Sequence, residues 1–325
     1  MSVLPFLMFN GTVPTLRNRL MPITGIPKLL PSALGVGYKG VLEISIIQEF
    51  DGTFKIYFTG SDGTADDNCM YLATASDLEG TWSVNPVAII GKGAGGAPAG
   101  RQANCSMVVK SNGFYYCYAT NGYVNGTVYL YKSSDGITFT DLGQVINYSA
   151  VTGGAGCGNT SVYPFKVNGK YEMIVEILDS SSNIWKLHRF NSNSLESGWT
   201  FVNSLPYLQP DNAGAYCGAH HFYDNGLWHI FYHYSPVLGQ VLPDYLAYST
   251  SVDLVTCVVR EAPLFAIEAH PFSPTDQLAD PFFIQTADNK CFLFAEYCSN
   301  SGLFQSQIWY WKFNGTFADL IKDTY

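Results

Sequence analysis

The sequence predicts an all-β protein: a five-bladed β-propeller of about four-stranded antiparallel blades, preceded by an extended N-terminal arm. Three observations point there. One phrase, an apolar strand, a turn with Gly or Asn and then an aromatic strand, recurs five times at intervals of 61, 56, 57 and 63 residues. Aromatic residues make up 15% of the 325 residues, with 31 glycines, a composition suited to short strands and tight turns. Long amphipathic helical patterns, which a βαβ fold or a helical repeat would need, are absent.

The five hairpins read "LEISIIQEFDGTFKIYFTG", "NCSMVVKSNGFYYCYAT", "TSVYPFKVNGKYEMIVE", "CGAHHFYDNGLWHIFYH" and "DPFFIQTADNKCFLFAE", with turn residues Gly52, Gly113, Gly169, Gly226 and Asn289. Asn-Gly and Asp-Gly between strand-like runs are strong hairpin signals, because a type I′ turn needs positive φ at both central residues. A third strand follows each hairpin: "MYLATASDLEGTW", "VYLYKSSDGITF", "IWKLHRFNSNSLESGW", "DYLAYSTSVDLVT" and "IWYWKFNGTF". Each is followed by a polar turn and has room for an outer strand. Radial repetition of such sheets leaves only short, protected edges.

Residues 1–38 form a separate unit, an arm with five prolines (Pro5, Pro14, Pro22, Pro27, Pro31) and high apolar content. A free disordered tail is normally polar, so this arm is expected to dock on its own propeller, a symmetry mate or a host particle. Residues 39–325 are the propeller. The last blade is closed either by a strand within 315–322 or by part of the arm.

Composition excludes some function classes. Only 13% of residues are charged and the net charge is −9, which lacks the basic footprint of a nucleic-acid binder. No stretch reaches the roughly 20 apolar residues of a membrane helix. The N-terminus is apolar, but its positive charges (Arg17, Arg19) follow the apolar run, so it reads as no secretory signal and synthesis in the cytoplasm is expected. The eight cysteines contain no C-x-x-C pair and no zinc spacing, so buried free thiols are expected, with no metal and no cofactor. "GSDGTADDN" (60–68) lacks the spacing and terminal Glu of a calcium loop. "GKGAGGAPAGRQ" (91–102) lacks the ending of a phosphate loop and reads as a connection that carries Arg101 to the funnel edge.

The hairpin followed by "Y-x-x-x-S-x-D-G/L…W" resembles the five-bladed propeller glycosidases, the superfamily of arabinanases, β-xylosidases, levansucrases and invertases. The resemblance covers about residues 40–317. It implies a substrate funnel at the end where the innermost strands begin. Nine residues back from each turn lie Glu43, Asn104, Thr160, Cys217 and Asp280, and seven forward lie Thr59, Thr120, Glu176, His233 and Glu296. Four carboxyls and a histidine are thereby expected at one mouth.

Glycoside hydrolysis uses two carboxyl groups, one as acid and one as base or nucleophile. The resemblance implies a base on blade one, a second Asp on blade three and an acidic Glu on blade four. These places hold Glu43, Thr160 or Asn159, and Cys217, so the catalytic set is degenerate. The "ADP" of blade five, with Asp280, looks most like the glycosidase Asp-Pro signature, in a different blade. A permuted count leaves Asn104 and Thr160 at the other two places.

Glu43 and Asp280 are the candidate catalytic groups, against a plain strand position for Glu43 and a local strand cap for Asp280. Glu176, Glu296, His220, His233, Asn104 and Arg101 are candidate ligand-binding residues. Glu176 and Glu296 have the alternative of ion pairs with Arg101, Lys186 or Arg189. The functional expectation is a glycan-recognising propeller, serving as an adhesin or decoration component of a larger assembly such as a phage tail or capsid, with a cell-surface or polymeric glycan as ligand. Residues 1–38 would meet a protein partner or symmetry mate. The alternatives are an active glycoside hydrolase with a rearranged carboxylate pair and a purely structural virion protein.

Overall fold

The turns set the architecture. Asn112–Gly113, Asn168–Gly169 and Asn225–Gly226 all have positive φ, the I′ geometry that the Asn-Gly signals predict, while Gly52 and Asn289 provide positive φ in blades one and five. The computed structural model describes residues 20, 26–35, 37–63, 68–122, 126–205, 215–235, 245–261, 264, 277–298 and 306–322.

Each hairpin carries a third and a fourth strand, giving five four-stranded antiparallel sheets. Blade one is β2 (Gly40–Gln48), β3 (Phe54–Ser61), β4 (Cys69–Ala75) and β5 (Ser83–Ile90), from axis to rim. Blade two is β6 (Asn104–Ser111), β7 (Phe114–Thr120), β8 (Val128–Ser133) and β9 (Thr140–Ile146). Blade three is β10 (Gly154–Val167), β11 (Lys170–Asp179), β12 (Ile184–Ser192) and β13 (Thr200–Ser204). Blade four is β14 (Ala215–Asp224), β15 (Leu227–Ser235), β16 (Tyr245–Ser251) and β17 (Cys257–Glu261).

Blade five takes its outer strand from the arm: β18 (Gln277–Gln285), β19 (Lys290–Cys298) and β20 (Ser306–Asn314) are completed by β1 (Ile26–Leu29), which pairs antiparallel with β20. The arm therefore ties the two ends of the chain into one ring. Residues 317–321 form a short helix, α1 (Phe317–Ile321), and not a closing strand. The reason is local: Thr316 and Asp319 make a reciprocal capping box. Most of the arm lies outside the described residues, but Leu20 is fully buried in the core between blades four and five.

The second strand of each blade is buried on both faces, because blade packs on blade. The repeated S-x-D phrase is a turn device. Asp135 accepts the N–H groups of Ile137 and Thr138, and Asp253 those of Val255 and Thr256. The aromatic that follows wedges onto the preceding blade: Trp82 packs on Phe294 at 5.9 Å and Trp199 on Tyr118 at 6.0 Å between ring centroids. Seven cysteines are free thiols, six of them buried and Cys217 half-buried, while the Cys105 side chain lies outside the described residues. No described helix is long and apolar enough to cross a membrane.

Candidate functional site

At the mouth end every innermost strand breaks its ladder at the same place. The register shifts fall between Leu42 and Ile44, Asn104 and Met107, Cys157 and Thr160, Cys217 and His220, and Ala279 and Phe282. These are β-bulges, which re-aim a side chain and free backbone N–H groups. The counted mouth positions sit in or beside these bulges. Glu43 and Asp280 occupy the matching place in adjacent blades with φ of 41° and 47°, a region that costs a non-glycine residue on the order of 1–2 kcal/mol.

The freed N–H groups are gripped by the preceding blade of the ring. Glu176 on β11 accepts Gly218 N–H from blade four at 3.3 Å, as well as Asn159 N–H of its own blade at 3.1 Å. His233 on β15 accepts Asp280 N–H from blade five at 3.1 Å. Glu296 on β19 accepts the Glu43 N–H from blade one, plus the Ser306 hydroxyl at 2.5 Å. The second-strand side chain of one blade thus satisfies the bulge of its neighbour, and Glu296 does so across the junction where the ring closes. Glu176, His233 and Glu296 are buried by this task.

Burial raises the Glu176 carboxyl to about 7, against the opposing pull of Asn159 N–H, the Cys217 thiol and Gly218 N–H. Burial also raises Asp280 well above the carboxylate range, reinforced by Glu296, Glu43 and Glu176, and Asp280 and Glu296 are hydrogen-bonded to each other. His233 is pulled down to about 3 by burial. Because its Nδ1 accepts a backbone N–H, the ring is neutral, and its 3.4 Å contact with Asp280 Oδ1 is not an ion pair.

Two glycines make this packing possible. A Cβ on Gly218 would lie 1.9 Å from Asp280 Oδ1, and one on Gly158 would lie 2.8 Å from the Glu176 carboxyl.

The axial cavity at this end is lined by Glu43, Ser106, Asn159, Gly218, His220 and Asp280 among others, and its volume of about 30 Å³ suits a water molecule or two. Glu43 takes the Thr59 hydroxyl at 2.7 Å, and Asp280 Oδ1 takes the Asn159 amide at 2.6 Å. His220 lines the cavity and lies against Phe282, tilted by 30° with ring centroids 4.4 Å apart. The connections 206–214, 236–244, 265–276 and 299–305, and residues 64–67 of the 60–68 loop, lie outside the described residues.

Other expectations need correction. Arg101 turns away from the funnel, pairing with Asp141 of β9 and lying 3.7 Å from the Tyr129 ring centroid, because these outer groups neutralise and cover its guanidinium. Lys186 pairs with Asp179 and Arg189 with Glu172, so no ion pair from Arg101, Lys186 or Arg189 serves Glu176 or Glu296. Asn104 is fully buried and does not line the cavity, with its amide on Gln102 and its carbonyl oxygen without a partner among the described residues. No cluster of three or more His, Cys, Asp or Glu side chains among the described residues could hold a metal.

The sequence matches no family model and no curated protein. Solved structures do match. A glycoside hydrolase aligns with a TM-score of 0.69 at 11% identity, over 89% of this chain and 90% of its own. A β-1,2-mannobiose phosphorylase from Listeria innocua aligns with a TM-score of 0.66 at 11% identity, over 92% and 97% of the two chains. The fold is that of the five-bladed propeller glycoside hydrolases. An endo-arabinase from Bacteroides thetaiotaomicron, with a TM-score of 0.62 at 12% identity over 91% of this chain and 100% of its own, shares it. The glycosidase-like propeller that the repeated phrase resembles is therefore the observed architecture.

Proposed function

We propose that the protein recognises a glycan at the mouth end of the channel, with Asp280 as the group that meets the sugar and the two-carboxylate chemistry of the fold given up. The observation that carries this reading is the division of labour among the four carboxyl groups. Glu176 and Glu296 are committed to bulge N–H groups behind the cavity, while Asp280 lines it with Glu43, Asn159, Ser106 and His220. Hydroxyls, amides and a proton-bearing carboxyl are the groups that sugar hydroxyls pair with.

A second reading keeps hydrolysis, with Glu43 and Asp280 as a rearranged pair. Its support is that these two line the cavity from adjacent blades, both at positive φ. A glycan array followed by product analysis separates the two: binding without released sugar supports recognition, and released sugar defeats it.

Membership of a larger assembly, as an adhesin or decoration module, belongs to the same proposal. Phe50 and Phe165 support it, both exposed at the end opposite the mouth, where a docking face would sit. Solution mass with and without a candidate host particle tests it; a monomer that never co-sediments removes the idea.

A further inference from the structure

The channel has a second, larger chamber at the end away from the mouth. Its volume is about 820 Å³, within the roughly 300–1,000 Å³ range of small-molecule sites. The second halves of all five innermost strands and the start of α1 enclose it. Met107, His220 and Phe282 line both this chamber and the mouth cavity, so they form the septum between them.

The wall is aromatic. Phe222 and Phe283 lie near-parallel at 5.2 Å and 17°, with Phe317 edge-on to both at 5.0 Å. Asp224 adds a carboxylate and Lys110 an ammonium to the lining, while His220, Gln48 and Gln285 offer donors. His220 Nδ1 accepts Phe283 N–H at 3.0 Å, which puts the ring proton on Nε2, and no group among the described residues accepts it. At the rim, Gln48 and Gln285 spend their carbonyl oxygens on Ala287 N–H and Phe317 N–H, which leaves their NH₂ groups as donors. A site with an apolar, aromatic wall, one donor at its inner end and amide donors at its rim selects against ligands without acceptors.

We propose that this chamber binds a planar aromatic compound bearing a carbonyl or comparable oxygen acceptor, its ring against Phe222, Phe282, Phe283 and Phe317 and its oxygen on the His220 Nε2–H. The site shares the His220 septum with the mouth cavity but takes a ligand of different chemistry from the glycan proposed there.

The test uses the full chain and two probes of nearly equal shape, 2-acetylnaphthalene and 2-ethylnaphthalene, in equilibrium dialysis. The expected result is saturable binding of one probe per chain, with the acetyl compound tighter by roughly 3- to 10-fold, the worth of one hydrogen bond to a buried donor. His220→Phe should bring the two probes to the same affinity. Ile284→Trp, which fills the chamber from its wall, should abolish binding of both while the thermal unfolding midpoint holds. Equal affinities for the two probes on the unmodified chain overturn the proposal without any variant. Undiminished binding in a folded Ile284→Trp protein also overturns it. So does failure of both probes to bind.

Discussion

Asn159 of blade three donates its side-chain amide to Asp280 Oδ1 of blade five at 2.6 Å, a bond that skips blade four past its inner edge at Gly218. It spans the mouth of the channel and fixes one oxygen of Asp280 as an acceptor. Gly218 of blade four is the residue it passes, and the absence of a side chain there lets the two meet.

That close approach makes Gly218→Ala a severe change. The new Cβ would overlap Asp280 Oδ1 and press on His233 Nδ1, at a backbone φ of 36°. The expected loss of unfolding free energy in urea is about 3 kcal/mol or more. Gly113→Ala, where φ is also positive but nothing lies within 4 Å, is expected to cost about 1 kcal/mol. Equal costs would contradict the packing account of Gly218.

Glu176 gives a pH signature. Its folded pKa of about 7 exceeds the unfolded 4.5, so the folded chain binds more protons between those values and stability falls as pH rises through them. Measured against Glu176→Gln, the unmodified chain should lose on the order of 3 kcal/mol of relative stability from pH 4.5 to 7. A pH-independent difference between the two would mean that the carboxyl is not buried as described.

The histidines work in the opposite direction. Burial holds His220, His221 and His233 at about 3, and His188 and His229 at about 4, all below the unfolded 6.5. Their contribution is complete above pH 6.5 and is lost as pH falls toward the folded values. Denaturant melts should therefore show stability dropping steeply below pH 6, and His233→Gln, which keeps an acceptor for Asp280 N–H, should make that drop shallower.

Trp199 tests the wedge between blades. It packs edge-on against Tyr118 of the preceding blade, and the Tyr118 hydroxyl bonds the Leu195 carbonyl at 2.6 Å. Trp199→Ala should cost about 3–5 kcal/mol in urea unfolding. A cost below about 1 kcal/mol would show that the repeated aromatic is not what holds blade three to blade two.

The propeller was legible because its signals are local. Asn-Gly turns, alternating strands and the S-x-D device recur at nearly fixed intervals, and counting from the turns brought Glu43, Glu176, His233, Asp280 and Glu296 to the ring of bulges where they lie. What each of them does there was not legible. The Asn159–Asp280 bond joins residues 121 apart, and the need for glycine at 158 and 218 arises from carboxyl groups on other strands. Ser306 gave no signal at all, being one serine at the start of β20. The Thr316-x-x-Asp319 capping box was a readable helix start and would have excluded a closing strand there, leaving the arm to complete blade five.

The most direct test of the central claim is the affinity of the unmodified chain and of Asp280→Ala for the strongest glycan found on an array, measured by titration calorimetry. Loss of a sugar contact from a buried carboxyl predicts at least about a tenfold weaker binding, with no sugar released by either protein. Unchanged affinity in a folded Asp280→Ala chain would contradict the account.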